Sequence, residues 1–208
     1  MNQYKQGAFF GYNFVGENSW NGYERKCLFA NIGNGQFMDV ARPTGSDGIK
    51  DGRGVAVADF NGDGKLDLVI NNNNMSPTLY LNQVRKTGNS VVMQLAGKMP
   101  SNRDAIGTQV RLTIAGKTIM RQVEAGSGFA SEVMLPIHFG LGSATRIEAV
   151  EIKWPSGRLD KFDSTQTRDW INNRVRIEEG SGKASEVIPY RQPAGAIASR
   201  GNADGRPM

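Results

Sequence analysis

Cysteine is almost absent: a chain of 208 residues holds one, Cys27. A single thiol excludes an intramolecular disulfide and a cysteine-held metal cluster. It lies in the strand-like run Cys27-Leu28-Phe29-Ala30 and is read as a buried core thiol. Histidine is as scarce, with His138 alone. No apolar run approaches the ~18 residues of a membrane span, so no membrane insertion is expected. The net charge of +5 is dispersed, and no Lys/Arg block marks a nucleic-acid footprint. The opening Met1-Asn2-Gln3-Tyr4-Lys5-Gln6-Gly7 lacks the apolar core of a secretory signal. The chain is therefore expected to be cytoplasmic, or a mature or truncated form of an exported protein.

Glycine, by contrast, is plentiful at 26 residues, and with frequent Asn it indicates turn-rich β structure. One stretch organises the rest: Asp59-Phe60-Asn61-Gly62-Asp63-Gly64-Lys65-Leu66-Asp67. Oxygen-bearing side chains fall at loop positions one, three, five and nine, with glycine at six. This spacing suits a hard cation, because alternate side chains of a tightly curled loop point inward together. Ca²⁺ takes roughly six to eight oxygens at about 2.3–2.6 Å. The expected ligands are the side chains of Asp59, Asn61, Asp63 and Asp67, with Lys65 offering its backbone carbonyl. An EF-hand is excluded by the flanks. Position twelve is Ile70 in place of Glu, and Gly54–Ala58 and Leu66–Ile70 read as strands where an EF-hand has helices. Turns alone would account for the Asn-Gly and Asp-Gly pairs, but not for three carboxylates and an amide in this register.

Residues 1–35 are aromatic and glycine-rich, and are read as brief strands and loops with one strand near Arg25–Ala30. Asn31–Gly35 makes a turn into Gln36–Val40, and a loop through Pro43 and Gly45 leads to the calcium hairpin. Thr78–Asn82 closes the segment, after the formal glycosylation sequon Asn74-Met75-Ser76. From Gly88 onward the pattern stays all-β. Val91, Met93 and Leu95 alternate; so do Val110, Leu112 and Ile114, which turn at Ala115-Gly116-Lys117 into Thr118–Val123. Val150, Ile152 and Trp154, then Val175 and Ile177, repeat the alternation, and together they indicate a sandwich or barrel. Residues 181–208 carry few large apolar groups and are read as a flexible tail or a partner-binding arm. The expected division is 1–85, 86–180 and 181–208.

Leu28–Phe37, Gly54–Val69 and Leu79-Tyr80-Leu81-Asn82 together resemble an FG-GAP (VCBS-type) repeat. The resemblance implies one calcium-bearing blade of a β-propeller of the integrin-α kind. Gly22-Tyr23-Glu24-Arg25 and Asp51-Gly52-Arg53 resemble the segment that precedes the C-terminal domain in the cartilage acidic protein/UnbV-like family. Four later blocks are similar, in order, to the ASPIC/UnbV domain: Ser101–Val110, Glu124–Ser131, His138-Phe139-Gly140-Leu141-Gly142 and Trp154-Pro155-Ser156-Gly157. The two resemblances cover roughly residues 20–180. They imply an all-β chain, a propeller-like blade segment packed with a C-terminal β-sandwich or barrel, and surface or secreted interaction proteins.

No residue set reads as catalytic. His138, beside apolar residues, is read as a hydrogen-bonded structural group. Ser127 in Gly126-Ser127-Gly128 is not a strand-to-helix nucleophile elbow. Glu124 and Glu132 have no separation that sequence can supply for glycoside hydrolysis. Arg103 and Asp104 are consistent with a structural ion pair. A propeller closes with about four to eight blades, so a single blade needs cover from the neighbouring domain, other subunits or a longer parent. The function expected is a non-catalytic, Ca²⁺-binding β module for protein–protein assembly or adhesion, extracellular, at the cell surface or periplasmic. It would serve in a larger complex or filament, with other protein subunits or copies of itself as partners. The alternatives are a fragment of a longer propeller protein and a carbohydrate-binding module, its glycan stacked on Trp20, Tyr23, Trp154 or Trp170.

Overall fold

The computed structural model describes residues 24–85, 88–126 and 136–191. They cluster into two compact units. The first contains residues 24–58, 66–83 and 125–126, the second residues 59–65, 84–85, 88–124 and 136–191. Trp20, Tyr23, Ser127 and Glu132 lie outside the described residues.

The first unit opens with a hairpin of β1 (Phe29–Gly33) and β2 (Gln36–Asp39). Asn34 and Gly35 both have positive φ, 51° and 73°, the type I′ geometry whose twist matches paired strands and which Asn-Gly adopts readily. One helical turn, α1 (Ala41–Thr44), occupies what reads from sequence as a loop. It ends where Gly45 turns left-handed and gives its N–H to Arg42 O. Pro43, which has no backbone N–H, is tolerated there because a one-turn helix calls for no intrahelical donor at that position. Then β3 (Gly52–Ala58), β4 (Asp67–Asn72) and β5 (Met75–Tyr80) form an antiparallel meander in the order β3-β4-β5. The strand–loop–strand expected around residues 59–66 is present, within a three-stranded sheet. Asn74, of the sequon, is exposed in the β4–β5 turn.

Cys27 is exposed, against the expectation of a core thiol. Pairing begins only at Phe29, so Cys27 lies in an unpaired lead-in with no core behind it. The negative charge of Asp39 is the main cause that pushes its thiol above the ordinary range, which disfavours the reactive thiolate.

The second unit is a sandwich of two four-stranded sheets. One has the order β11-β10-β7-β8, the other β13-β12-β6-β9. The strands are β6 (Asn89–Ala96), β7 (Gln109–Ile114), β8 (Lys117–Gln122), β9 (Ile137–Gly142), β10 (Ala149–Lys153), β11 (Leu159–Asp163), β12 (Asn173–Glu178) and β13 (Ala184–Pro189). The inward residues are those that alternate in sequence. Val110, Leu112, Val150 and Ile152 from one sheet join Val91, Met93, Phe139, Val175 and Ile177 from the other in one core. Each fully buried Val, Leu or Ile contributes roughly 1.5–3 kcal/mol relative to exposure. Pairing is antiparallel except between β6 and β12, which run parallel.

Trp154 and Trp170 belong to this core at 1% and 2% exposure, so neither is a sugar-stacking surface. The ring of Trp170 lies 5.2 Å from that of Phe162, and the Trp154 indole donates to Asp160 Oδ2 at 2.8 Å. Residues 184–189, read from sequence as part of a tail, form β13. Hydrogen bonding along β12 compensates for the few apolar groups they bury.

Candidate metal loop

The loop 59–65 is built around one carboxylate. Asp59 Oδ1 accepts the N–H groups of Gly62 and Asp63 at 2.7 and 2.9 Å, and Oδ2 accepts that of Gly64 at 2.9 Å. Three consecutive N–H groups converge because Gly62 and Gly64 take left-handed φ of 79° and 83°, which non-glycine residues adopt at a cost of about 1–2 kcal/mol. Asn61 Oδ1 accepts the Asp63 N–H at 3.0 Å, and its Nδ2 donates to Asp63 Oδ2 at 3.1 Å. Asp63 Oδ1 accepts the Lys65 N–H at 2.9 Å, and Oδ2 pairs with Lys65 Nζ at 3.0 Å. Four of the five residues expected as ligands are therefore bonded to one another. The fifth, Asp67, is the first residue of β4, where it is 1% exposed and accepts the Asn82 N–H at 2.7 Å.

Among the described residues, no three His, Cys, Asp or Glu side chains form a ready metal cage. The donor chemistry of the loop still fits Ca²⁺: carboxylates of Asp59 and Asp63, the amide oxygen of Asn61 and the Lys65 carbonyl are all hard oxygens. The glycine geometry fits a tightly curled ligand loop as well. Lys65 Nζ already places a positive charge on Asp63 Oδ2, with the two side chains 19% and 6% exposed.

The loop rests on the outer face of the β13-β12-β6-β9 sheet, a contact that no sequence pattern announced. Gly64 O accepts from His138 Nε2–H at 3.0 Å, and Ser90 Oγ donates to the same oxygen at 3.4 Å. Since a carbonyl only accepts, the His138 proton sits on Nε2. Ser90 Oγ also meets Tyr190 Oη at 3.1 Å. The Arg191 N–H donates to Gly62 O at 2.7 Å. Tyr190 packs against the loop, so that a methyl group on Gly64 would come within 2.2 Å of its ring. Burial pushes the Tyr190 phenol up, Asp59's charge adds to this, and Ser90 and Arg174 oppose it. β6 is buried continuously from Ser90 to Met93, where a half-buried alternation is expected from its sequence.

His138 is the hydrogen-bonded group that its neighbours suggest. Arg103 and Asp104 pair at 3.2 Å with side chains 89% and 41% exposed, an ion pair worth little in water. Glu124 is exposed in a coil. A polar clamp, unforeseen from sequence, joins the buried Glu179, Ser101 and Asp160 with the exposed Ser156. Glu179 accepts the Ser156 hydroxyl and the Lys98 N–H, and Ser101 Oγ accepts the Ser156 N–H at 3.0 Å. Asp160 accepts from Arg158, Trp154 and the Gly180 N–H.

Residues 97–184 match the family described as ASPIC and UnbV, and residues 18–70 match the FG-GAP-like repeat. Cartilage acidic protein 1 of Xenopus tropicalis is 53% identical over 55 residues, 26% of this chain and 8% of that relative. The Mus musculus and Homo sapiens proteins of the same name are 54% and 53% identical over stretches of equal length. The matched stretch thus spans 8% of the length of each of these relatives.

Proposed function

Because the chain carries an FG-GAP-like repeat followed by an ASPIC and UnbV domain, we propose that it is a non-catalytic, calcium-stabilised module for protein–protein interaction outside the cell. The observation that carries the calcium reading is the inward turn of the Asp59 and Asp63 carboxylates, each held by backbone N–H groups of the loop itself. Bound Ca²⁺ would neutralise the clustered carboxylates and tie the loop oxygens to one centre. Asp59, Asn61, Asp63 and the Lys65 carbonyl would hold it, and Lys65 Nζ would leave Asp63 Oδ2.

The interaction reading is supported by apolar side chains that the fold leaves in water. Phe29, Ile32, Phe37 and Met38 of the hairpin are 62%, 56%, 61% and 54% exposed. Exposed apolar groups in such density favour a protein partner. The likeness to cartilage acidic protein 1 supports an extracellular location. The non-catalytic reading is supported by the structural bonding of His138, Arg103 and Asp104.

Calorimetric titration and thermal melting test the calcium claim. Affinity of ~10⁻⁴–10⁻³ M is expected, as in extracellular modules. Ca²⁺ at a hundredfold excess over Kd should add about 2.7 kcal/mol, a rise in Tm of about 5–10 °C for a chain of this size. Asp63→Ala should abolish the rise. Identical melting in excess chelator and in ~0.1 M Ca²⁺, a hundredfold excess over the weakest expected Kd, with no heat of binding, would remove calcium from the proposal.

A further inference from the structure

We propose that the affinity of the 59–65 loop for its cation is set by a clasp from the sandwich, in which His138 and the backbone at Arg191 act as positioning groups. The inference rests on the calcium reading above and adds to it a control that lies far away in sequence.

The physics is that of the planar peptide. In a trans peptide unit the C=O and the following N–H point in opposite directions. Gly62 O is held outward by the Arg191 N–H at 2.7 Å, so the Asp63 N–H is aimed inward, where it meets Asp59 Oδ1 at 2.9 Å. Gly64 O is held outward by His138 at 3.0 Å and by Ser90, so the Lys65 N–H is turned onto Asp63 Oδ1 at 2.9 Å. Each clasp bond thereby orients one ligand carboxylate through a single peptide plane. The Tyr190 ring closes over Gly64 between the two bonds, and its hydroxyl is anchored on Ser90.

Fixing a residue's backbone costs conformational entropy. A loop already ordered by the clasp presents its carboxylates without that cost falling on cation binding. Coupling of this kind is reciprocal. A cation that orders the loop also strengthens the seat of Tyr190 and Arg191, and so the attachment of β13, whose residues 185–189 are all exposed.

The test uses the full chain with Ca²⁺ as titrant. Arg191→Pro removes the N–H to Gly62 and nothing from the core, and His138→Leu removes the donor to Gly64. Each should weaken Ca²⁺ binding by about fivefold or more, and the pair by more than tenfold. Arg191→Lys, which keeps the N–H, should match the unsubstituted chain. Amide exchange across residues 184–191 should slow when Ca²⁺ is added. If the unsubstituted chain binds no Ca²⁺, the calcium reading itself falls. If it binds and both variants, folded by circular dichroism, bind equally well, the clasp is refuted. Should either variant unfold, exchange in the unsubstituted chain decides: unchanged protection at 190–191 on saturation overturns the inference.

Discussion

Gly64 carries more constraint than any other residue of the loop. Its φ of 83° is one that a side chain resists, and a methyl group there would lie 2.2 Å from the Tyr190 ring, which cannot yield without leaving Ser90. Gly62 has a similar φ of 79°, but a methyl group there would meet only the flexible Arg191 side chain, at 3.2 Å. Gly62→Ala should therefore cost only the left-handed backbone penalty of about 1–2 kcal/mol. Gly64→Ala adds displacement of the ring, of the order of 1–3 kcal/mol for overpacking. Thermal melts in chelator should rank the two in that order. Equal losses would mean that Tyr190 yields freely.

At the scale of elements, the polar clamp ties the end of β12 to β11 and to the turn after β10. Burial pushes the Asp160 carboxyl up, but Arg158, the Gly180 N–H and the Trp154 indole outweigh it and leave the group below the ordinary carboxylate range. Glu179 shows the same balance. Burial and the charge of Asp160 raise it, and bonds from Ser156, the Lys98 N–H and Ser101 bring it down on balance. A carboxylate depressed in the folded state contributes stability that is present above its unfolded pKa of about 4 and is lost as pH falls through the folded value. The melting temperature should accordingly fall below about pH 4. Asp160→Asn keeps an acceptor for the indole but cannot titrate, and should flatten this acid limb while lowering stability at neutral pH. A variant with an unchanged acid limb would exonerate the clamp.

At the scale of the molecule, the two units distribute their apolar residues differently. The sandwich buries its large side chains in one cluster, while the β1–β2 hairpin shows Phe29 and Phe37 to solvent at 62% and 61% exposure. Residues that bury so little support the fold weakly. Phe29→Ser combined with Phe37→Ser should shift stability by no more than about 0.5 kcal/mol per site, and should reduce self-association in light scattering at high concentration. A large loss of stability instead would identify the hairpin as part of a core.

Sequence alone determined the all-β class, the strand–loop–strand at residues 59–67 and the inward residues of β6, β7, β10 and β12. These are local properties: alternation of period two selects a face, and Asn-Gly or Asp-Gly selects a turn. It also singled out Asp59, Asn61, Asp63 and Lys65, because their spacing is a property of one loop. Trp154 falls inward as its alternation with Val150 and Ile152 implies, whereas Cys27 and Trp170 were not legible, since burial depends on what lies opposite and not on the residue. The pairing of β6 with β12, the strand β13 and the seat of Tyr190, Arg191, His138 and Ser90 on the loop were decided by tertiary structure. The β6–β12 pairing and the contacts of Tyr190 with Ser90 and of His138 with Gly64 join positions more than seventy residues apart, and no period or spacing within the chain encodes such a meeting. The loop that the sequence announces as a local cation motif is, in the folded chain, held in shape from a distance.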